Sequence, residues 1–489
     1  MVGTGLGPVI IRVGDFATEP MLFNSFEFAL FFPAVLLAHF GLPGRFRWLL
    51  LLLASCAFYM AFVPAYILIL ALTIVVDYVA GLLIARAQGV ARKAWLGFSL
   101  LANIGVLAVF KYWPFLYANA QAAAGYWGFQ NPVPALSMIL PIGLSFHTFQ
   151  AMSYTIEVYR GAQEPERHFG RYALYVMYFP QLVAGPIERP QNLLPQLAAL
   201  DNIGFSSERM TSGLRLIAWG LLKKAIVADR LAVLVDRTYA DLAHADSVAL
   251  LVSAYAFSVQ IYCDFSAYSD IARGASRILG VELMRNFERP YESASLGEFW
   301  RRWHISLSTW FRDYVYVPLG GSRGSRARTI RNLLIVFLLS GLWHGANWTF
   351  VVWGAIHGVA VAVSSGSRQP RAARLGWRTL AVFHLVTLAW VFFRAPSLAD
   401  ATTYLVRLFS AGGWLTRSTH NLGEPSEVVL AGVAAYAVLV LEHLAARHSL
   451  VDKLLAARRS VRWAVYYSAV LAFLLLARVS HQQFIYFQF

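Results

Sequence analysis

The sequence predicts an all-α, polytopic integral membrane protein, and three observations carry that expectation. Of its 489 residues, 58% are hydrophobic and only 14% are charged, against about 25% charged in an ordinary soluble domain. Apolar runs approach the roughly 20 residues that carry a helix across a bilayer. Lys and Arg gather in the short connections between those runs, as the positive-inside bias of membrane proteins produces. The net charge of +15 is therefore read as membrane anchoring and not as nucleic-acid binding.

The runs follow in order. Residues 28–42, 48–62, 64–84 and 95–110 make the first four, and 64–84 is interrupted by one charge, Asp77. Residues 248–262, 379–393, 428–441 and 463–476 supply more. Residues 1–20 carry Asp15 and Glu19 and lack the basic n-region of a signal peptide. They are read as an extension outside the core, with Met21 resembling a start and residues 21–489 forming one transmembrane domain. No internal repeat or separate soluble module stands out. Cys56 and Cys263 have no paired spacing, so neither a disulfide framework nor a thiolate metal site is expected.

Loop charge sets an orientation. Arg45 and Arg47, then Arg86, Arg92 and Lys93, then Arg160, Arg167 and Arg171 mark inner connections, while residues 117–134 contain no Lys or Arg and read as an outer loop. Residues 320–331 and 368–378 each carry four arginines and both read as inner. The stretch between them is short for two full crossings, so a helical hairpin turning at residues 343–348 fits better. Gly345, Ala346 and Asn347 suit that turn. Non-helical backbone at such depth is tolerated only where protein or a water-filled cavity surrounds it. His344 is thereby placed at the apex of a hairpin inside the apolar run 333–363, and an intramembrane ionisable residue is a functional candidate by default.

Four other stretches are too polar or too proline-rich for lipid-facing helices: PIGLSFHTFQ (141–150), YFPQLVAGPIERP (178–190), YCDFSAYSDIA (262–272) and EFWRRWHISLSTWFRDYVYVPLGG (298–321). The last holds His304, forty residues before His344. An imidazole titrates at about pH 6.5 when unperturbed, so two of them in one membrane suggest acid/base chemistry. Acyl transfer from a thioester to a hydroxyl needs a base for the hydroxyl proton and donors for the developing oxyanion. No Gly-x-Ser-x-Gly elbow signals a serine acyl-enzyme.

With SGLWHGANW (340–348) and the terminal FIYFQF (484–489), these phrases resemble the membrane-bound O-acyltransferase (MBOAT) superfamily. The nearest branch is the bacterial alginate O-acetyltransferase group, itself similar to the D-alanyl transfer protein of teichoic acid synthesis. The similarity covers nearly the whole chain from Met21. It implies an MBOAT fold of roughly ten to twelve transmembrane helices with broken or re-entrant helices around a central cavity. It also implies that His344 is the essential intramembrane histidine and His304 the second active-site position, where many eukaryotic members carry asparagine. The implied activity is transfer of an acyl group, most simply acetyl, from a cytoplasmic thioester (acetyl-CoA or an acyl carrier protein) across the bacterial inner membrane. The recipient would be an exported polysaccharide such as alginate, reached through a periplasmic SGNH-type acyltransferase partner.

His147, Gln150, Gln181, Asp264, Trp303, Trp343 and Asn347 are candidates to line the passage. Plainer readings stand beside these. Asp264 and Asp270 could simply pair with Arg273 or Arg277, His147 could be a packed core histidine, and the basic residues 320–331 could be an anchor alone. His168, His384, His443, His448 and His481 are given no role. No bound cofactor or metal is expected, since His304 and His344 have no third ligand at helpful spacing. Peptidoglycan, teichoic acid or a small molecule remains open as the acceptor. A transporter using the histidines as a proton relay is the alternative of a different class.

Overall fold

A computed structural model describes residues 21–129, 140–364, 376–410, 422–478 and 484–487. Residues 1–20, His481, part of the expected outer loop and most of 368–378 lie outside them. The described residues are helices and their connections, with no strand among them. The chain divides into two compact units: residues 1–213 with 272–284, and residues 214–271 with 285–489.

In the first unit, Phe26–Gly41, Arg47–Met60, Ile67–Arg86 and Gly89–Leu107 are the first four apolar runs. The fourth continues through a π-helical turn, Ala108–Tyr112, into Trp113–Tyr126. The expected outer loop therefore begins about ten residues later than residue 117. The run 113–126 is rich in alanine, which favours a helix whatever its lack of charge implied about side. Asp77 is fully buried and answered from the neighbouring helix: Ser99 Oγ donates to it at 2.6 Å and Asn103 Nδ2 at 2.9 Å. A lone charge in an apolar span is thus satisfied inside the protein, which is the condition for its presence there.

The two polar stretches of this unit are broken helices, as their prolines and glycines require. Leu144–Arg160 starts after the Pro141–Gly143 turn, and Phe179–Leu182 is a single turn followed by loop until Pro190–Ala198.

The second unit holds most of the 32-residue helix Ser247–Ile278, the short helices Leu296–Arg302 and Ile305–Phe311, and the pair Arg326–His344 and Trp348–Ser364. Trp377–Arg394, Pro425–His448 and Arg459–Leu476 complete its long helices. Five helical stretches among the described residues are long and apolar enough to cross a membrane alone: Pro64–Arg86, Gly89–Tyr126, Ser247–Ile278, Pro425–His448 and Arg459–Leu476. That is fewer than the apolar runs. Arg47–Met60, for example, has 14 residues and at 1.5 Å per residue is about 21 Å long, short of the roughly 30 Å hydrocarbon layer.

Candidate active site

The expected hairpin is present. Arg326–His344 ends at His344, residues 345–347 turn, and Trp348 opens the returning helix. The two helices approach closely because glycines face backbone across the seam. A Cβ on Gly341 would strike the Phe350 carbonyl, and one on Gly354 the Phe337 carbonyl. Small residues at such positions are how helices pack where no hydrophobic drive separates them from lipid. Asn347 holds the turn. Its Oδ1 accepts from Thr349 N at 3.1 Å, and its Nδ2 donates to the Pro396 carbonyl at 2.9 Å. Its amide thus ties the turn to the connection that follows Trp377–Arg394.

His344 is 5% exposed. Its ring lies 5.2 Å, centroid to centroid, from both Trp353 and Phe393, and 5.0 Å from Trp343. It closes a 19-residue helix, whose C-terminal partial negative charge stabilises positive charge developing on the imidazole as it takes a proton.

His304 is built differently. Leu296–Arg302 is started by Ser295, whose Oγ accepts from Glu298 N at 3.2 Å while Glu298 reaches back to Ala294 N at 2.9 Å, a reciprocal cap. The chain then straightens at Trp303, and His304 takes a left-handed conformation, φ 42° and ψ 56°, before Ile305–Phe311 begins. That region is unfavourable for a residue with a Cβ. Asn286 holds the turn in place: its carbonyl accepts from Ile305 N at 2.9 Å, its Oδ1 from Ser306 N at 3.2 Å, and its Nδ2 donates to Ser269 Oγ at 3.2 Å. Strain held by surrounding bonds is a feature of functional sites.

The turn aims the His304 ring, fully buried, edge-on to Phe265 at 4.6 Å and 6.0 Å from Trp343. The His304 and His344 rings lie 6.4 Å apart at 50°. Tyr486, from the C-terminal segment, lies 6.1 Å from His304 and 5.6 Å from His344. Two imidazoles and a phenol thus share one aromatic pocket, close enough to act on one small group.

The other candidates fall into place separately. Trp303 is buried, stacked on Phe299 at 5.5 Å and against Trp390 at 5.1 Å, and Trp343 lies beside both histidines. His147, Gln150 and Gln181 belong to the first unit. His147 Nε2 lies 2.6 Å from Thr73 Oγ1, which itself donates to the Leu70 carbonyl at 2.9 Å, so the histidine is the donor of the pair. Gln150 and Gln181 both donate to the Tyr175 carbonyl, bracing the broken stretch 178–190. Asp264 and Asp270 belong to the second unit and are paired with lysines. Asp270 Oδ2 lies 2.7 Å from Lys223 Nζ, and Asp264 Oδ1 2.8 Å from Lys224 Nζ. Arg277, offered as their partner, pairs with Glu282 at 2.7 Å.

Sequence reasoning missed three sets of residues. Lys223 and Lys224, which the sequence reading gives no role, are both buried in a π-helical turn, Lys223–Ala228. The signal was their adjacency to the apolar run 225–228. His357 is fully buried and accepts the Trp300 indole N–H on Nδ1 at 3.3 Å. Four residues after Trp353, it continues the face that holds His344. Tyr486 lies within the terminal FIYFQF phrase, which by itself points to no role for it. Among the described residues, no three His, Cys, Asp or Glu side chains gather as a metal site.

Comparison with known proteins now gives the class. The model of the MBOAT, membrane-bound O-acyltransferase family matches residues 166–383. The chain is 38% identical over 428 residues to the probable alginate O-acetylase AlgI of Azotobacter vinelandii, covering 86% of this chain and 84% of that one. Against the Pseudomonas aeruginosa counterpart it is 39% identical over 426 residues, covering 86% and 81%. The peptidoglycan O-acetyltransferase of Helicobacter pylori is 34% identical over 434 residues, covering 80% of each chain. The chain belongs to the membrane-bound O-acyltransferase family, in the branch that holds the alginate O-acetylases. It is accordingly a multi-pass membrane protein and an O-acyltransferase.

Proposed function

We propose that this enzyme moves an acetyl group from a cytoplasmic thioester, acetyl-CoA or an acyl carrier protein, across the bacterial inner membrane for O-acetylation of an exported polysaccharide such as alginate. The observation that carries this reading is the convergence of His304 and His344, forty residues apart in sequence, with their buried rings 6.4 Å apart. The alginate relatives, similar over most of both chains, support the acceptor class.

In this reading His344 is the base. It takes the acceptor hydroxyl's proton as the oxygen attacks the thioester carbonyl. The C–S bond then breaks and the proton passes to the departing thiolate. His304, held by its strained turn, orients the acceptor hydroxyl or the developing oxyanion. Burial among Trp343, Trp353, Phe265 and Phe393 keeps out the water that would hydrolyse the thioester. The shorter helices complete ten to twelve crossings, residues 320–331 face the cytoplasm, and a narrow passage leads from that side to His344 with a wider opening above. The stretches 262–270 and 300–316, in the unit that holds both histidines, line it. A periplasmic SGNH-type acyltransferase passes the group to the polymer.

The test is polymer acetylation in a strain carrying His344→Ala at normal abundance, with acetate released by mild base as the readout. Undiminished acetate would overturn the assignment. The acceptor is settled by the same assay on alginate and on peptidoglycan, the second being the polymer named for the Helicobacter pylori relative.

A further inference from the structure

The buried ion pairs of the second unit are not explained by the acyl-transfer chemistry. Lys224 Nζ lies 2.8 Å from Asp229 Oδ1 and 2.8 Å from Asp264 Oδ1. All three side chains are buried. An ion cluster at this depth is costly to desolvate, and it adds little stability over packed apolar side chains. What sets it apart is the use of the remaining Asp264 oxygen: Oδ2 accepts the backbone N–H of Ile485 at 2.7 Å.

Ile485 lies in the C-terminal segment. Its neighbour Tyr486 is the ring that lies beside both histidines and sits tilted, 4.3 Å from Phe265, the residue after Asp264. On the other side, Phe484 packs against Tyr268 at 4.9 Å and Phe265 at 5.7 Å. The same π-helical turn that carries Lys224 accepts Arg478 N on the Ala225 carbonyl at 3.0 Å. The turn and Asp264 thus grip the chain on either side of residues 479–483.

We propose that the Asp229–Lys224–Asp264 triad is a positioning device that seats the C-terminal segment, through the Ile485 N–H, against the His304–His344 pair. The proposal rests on the reading of those histidines as the acyl-transfer pair. Lys224 fixes the Asp264 carboxylate, Asp229 holds the Lys224 ammonium from its other side, and Asp264 fixes the backbone that carries Tyr486. Asp264 and Lys224 are positioning residues and act only through that segment.

The test uses the full-length chain in detergent with two readouts, hydrogen exchange across residues 484–487 and acetyl transfer. Asp264→Ala is expected to speed exchange there by about tenfold or more, the scale of a hydrogen bond to a charged acceptor. Ile485→Pro removes the donated N–H at the first position of a short helical turn, which proline tolerates, and Ile485→Val, which trims the same buried side chain and keeps the N–H, is its packing control. The proline variant leaves the triad whole, and it is expected to raise exchange at residues 486 and 487 and to lower transfer. Asp264→Asn keeps an accepting oxygen and is expected to retain more transfer than Asp264→Ala. The double variant Asp264→Ala with Ile485→Pro is expected to lose no more than Asp264→Ala alone, whereas a merely structural role would multiply the two losses. Asp270→Asn, which removes the charge paired with Lys223, should leave exchange at 484–487 unchanged.

Unchanged exchange in Asp264→Ala, full transfer in Ile485→Pro, or multiplied losses would overturn the proposal. Exchange reports the seat independently of the chemistry. Raised exchange beside fully active His304 and His344 variants would keep the seat and remove the catalytic reading.

Discussion

His304 offers a perturbation whose backbone and side-chain costs can be separated. At φ 42° and ψ 56°, a residue with an ordinary Cβ pays about 1–2 kcal/mol, asparagine pays less, and glycine pays almost none. His304→Ala loses the ring and keeps the backbone cost. His304→Gly loses the ring and relieves that cost. His304→Asn keeps a hydrogen-bonding group and a residue type suited to the turn. Removing a fully buried aromatic ring costs a further ~3–5 kcal/mol when the surroundings do not collapse, and Ala and Gly share that loss.

The expected order of stability is therefore His304→Asn above His304→Gly above His304→Ala, with Gly ahead of Ala by about 1 kcal/mol. Thermal unfolding of the purified proteins in one detergent reads it. The expected order of activity is different. If His304 orients and His344 carries the proton, His304→Asn should stay within about tenfold of wild type, while Ala and Gly fall by ~10²-fold or more. Acetyl transfer at matched protein abundance reads that. His304→Gly no more stable than His304→Ala would refute the backbone argument. Asn as inactive as Ala would refute the orienting role and give His304 the proton.

Other outcomes follow from the same geometry. His344→Ala should lower transfer by ~10²–10⁴-fold, the usual worth of a general base, with the protein still inserted and monodisperse by size-exclusion chromatography. Asn286→Ala removes the Oδ1 acceptor for Ser306 N and the Nδ2 donor to Ser269 and should cost about 1–3 kcal/mol of stability, with lower activity through His304 alone. Gly354→Leu drives a side chain into the Phe337 backbone and should cut membrane abundance, measured by immunoblot. With Cys56 and Cys263 replaced, single cysteines at residues 127–129 should label with an impermeant thiol reagent in intact cells, and cysteines in 320–331 only after permeabilisation. Labelling of the latter in intact cells would reverse the proposed orientation.

The hairpin was legible because its evidence is local: two arginine-rich connections, an apolar run too short for two full crossings, and Gly-Ala-Asn in the middle. The convergence of His304 on His344 was legible only through the motifs. Nothing in the spacing of residues 296–311 announces that Trp303 is extended and His304 left-handed. That conformation is imposed by Asn286, a tertiary contact no periodicity encodes. The buried lysines were hidden by an ambiguity of the signal itself. The Lys223–Lys224 pair lies between apolar residues and carries no motif of its own. It reads as an ion cluster only once Asp264 and Asp270, some forty residues away in sequence, are seen to face it. Charge counting assigns sides to loops and has no means of noticing a charge that never leaves the protein.

The same physics changes how a passage through the site can be probed. Gly345 would serve as a place to insert a plug if its missing side chain faced open space. It faces the Phe350 ring instead, and any Cβ there collides with it. Gly345→Trp should therefore push Phe350 off Phe393, which it meets edge-on at 4.9 Å, and through Phe393 disturb His344 at 5.2 Å. Lost activity in that variant would report a displaced histidine and not a blocked passage. Lost thermal stability beside lost transfer is the expected signature. A stable, inactive Gly345→Trp would mean that the turn yields without moving Phe350, and only then would the position serve as a plug.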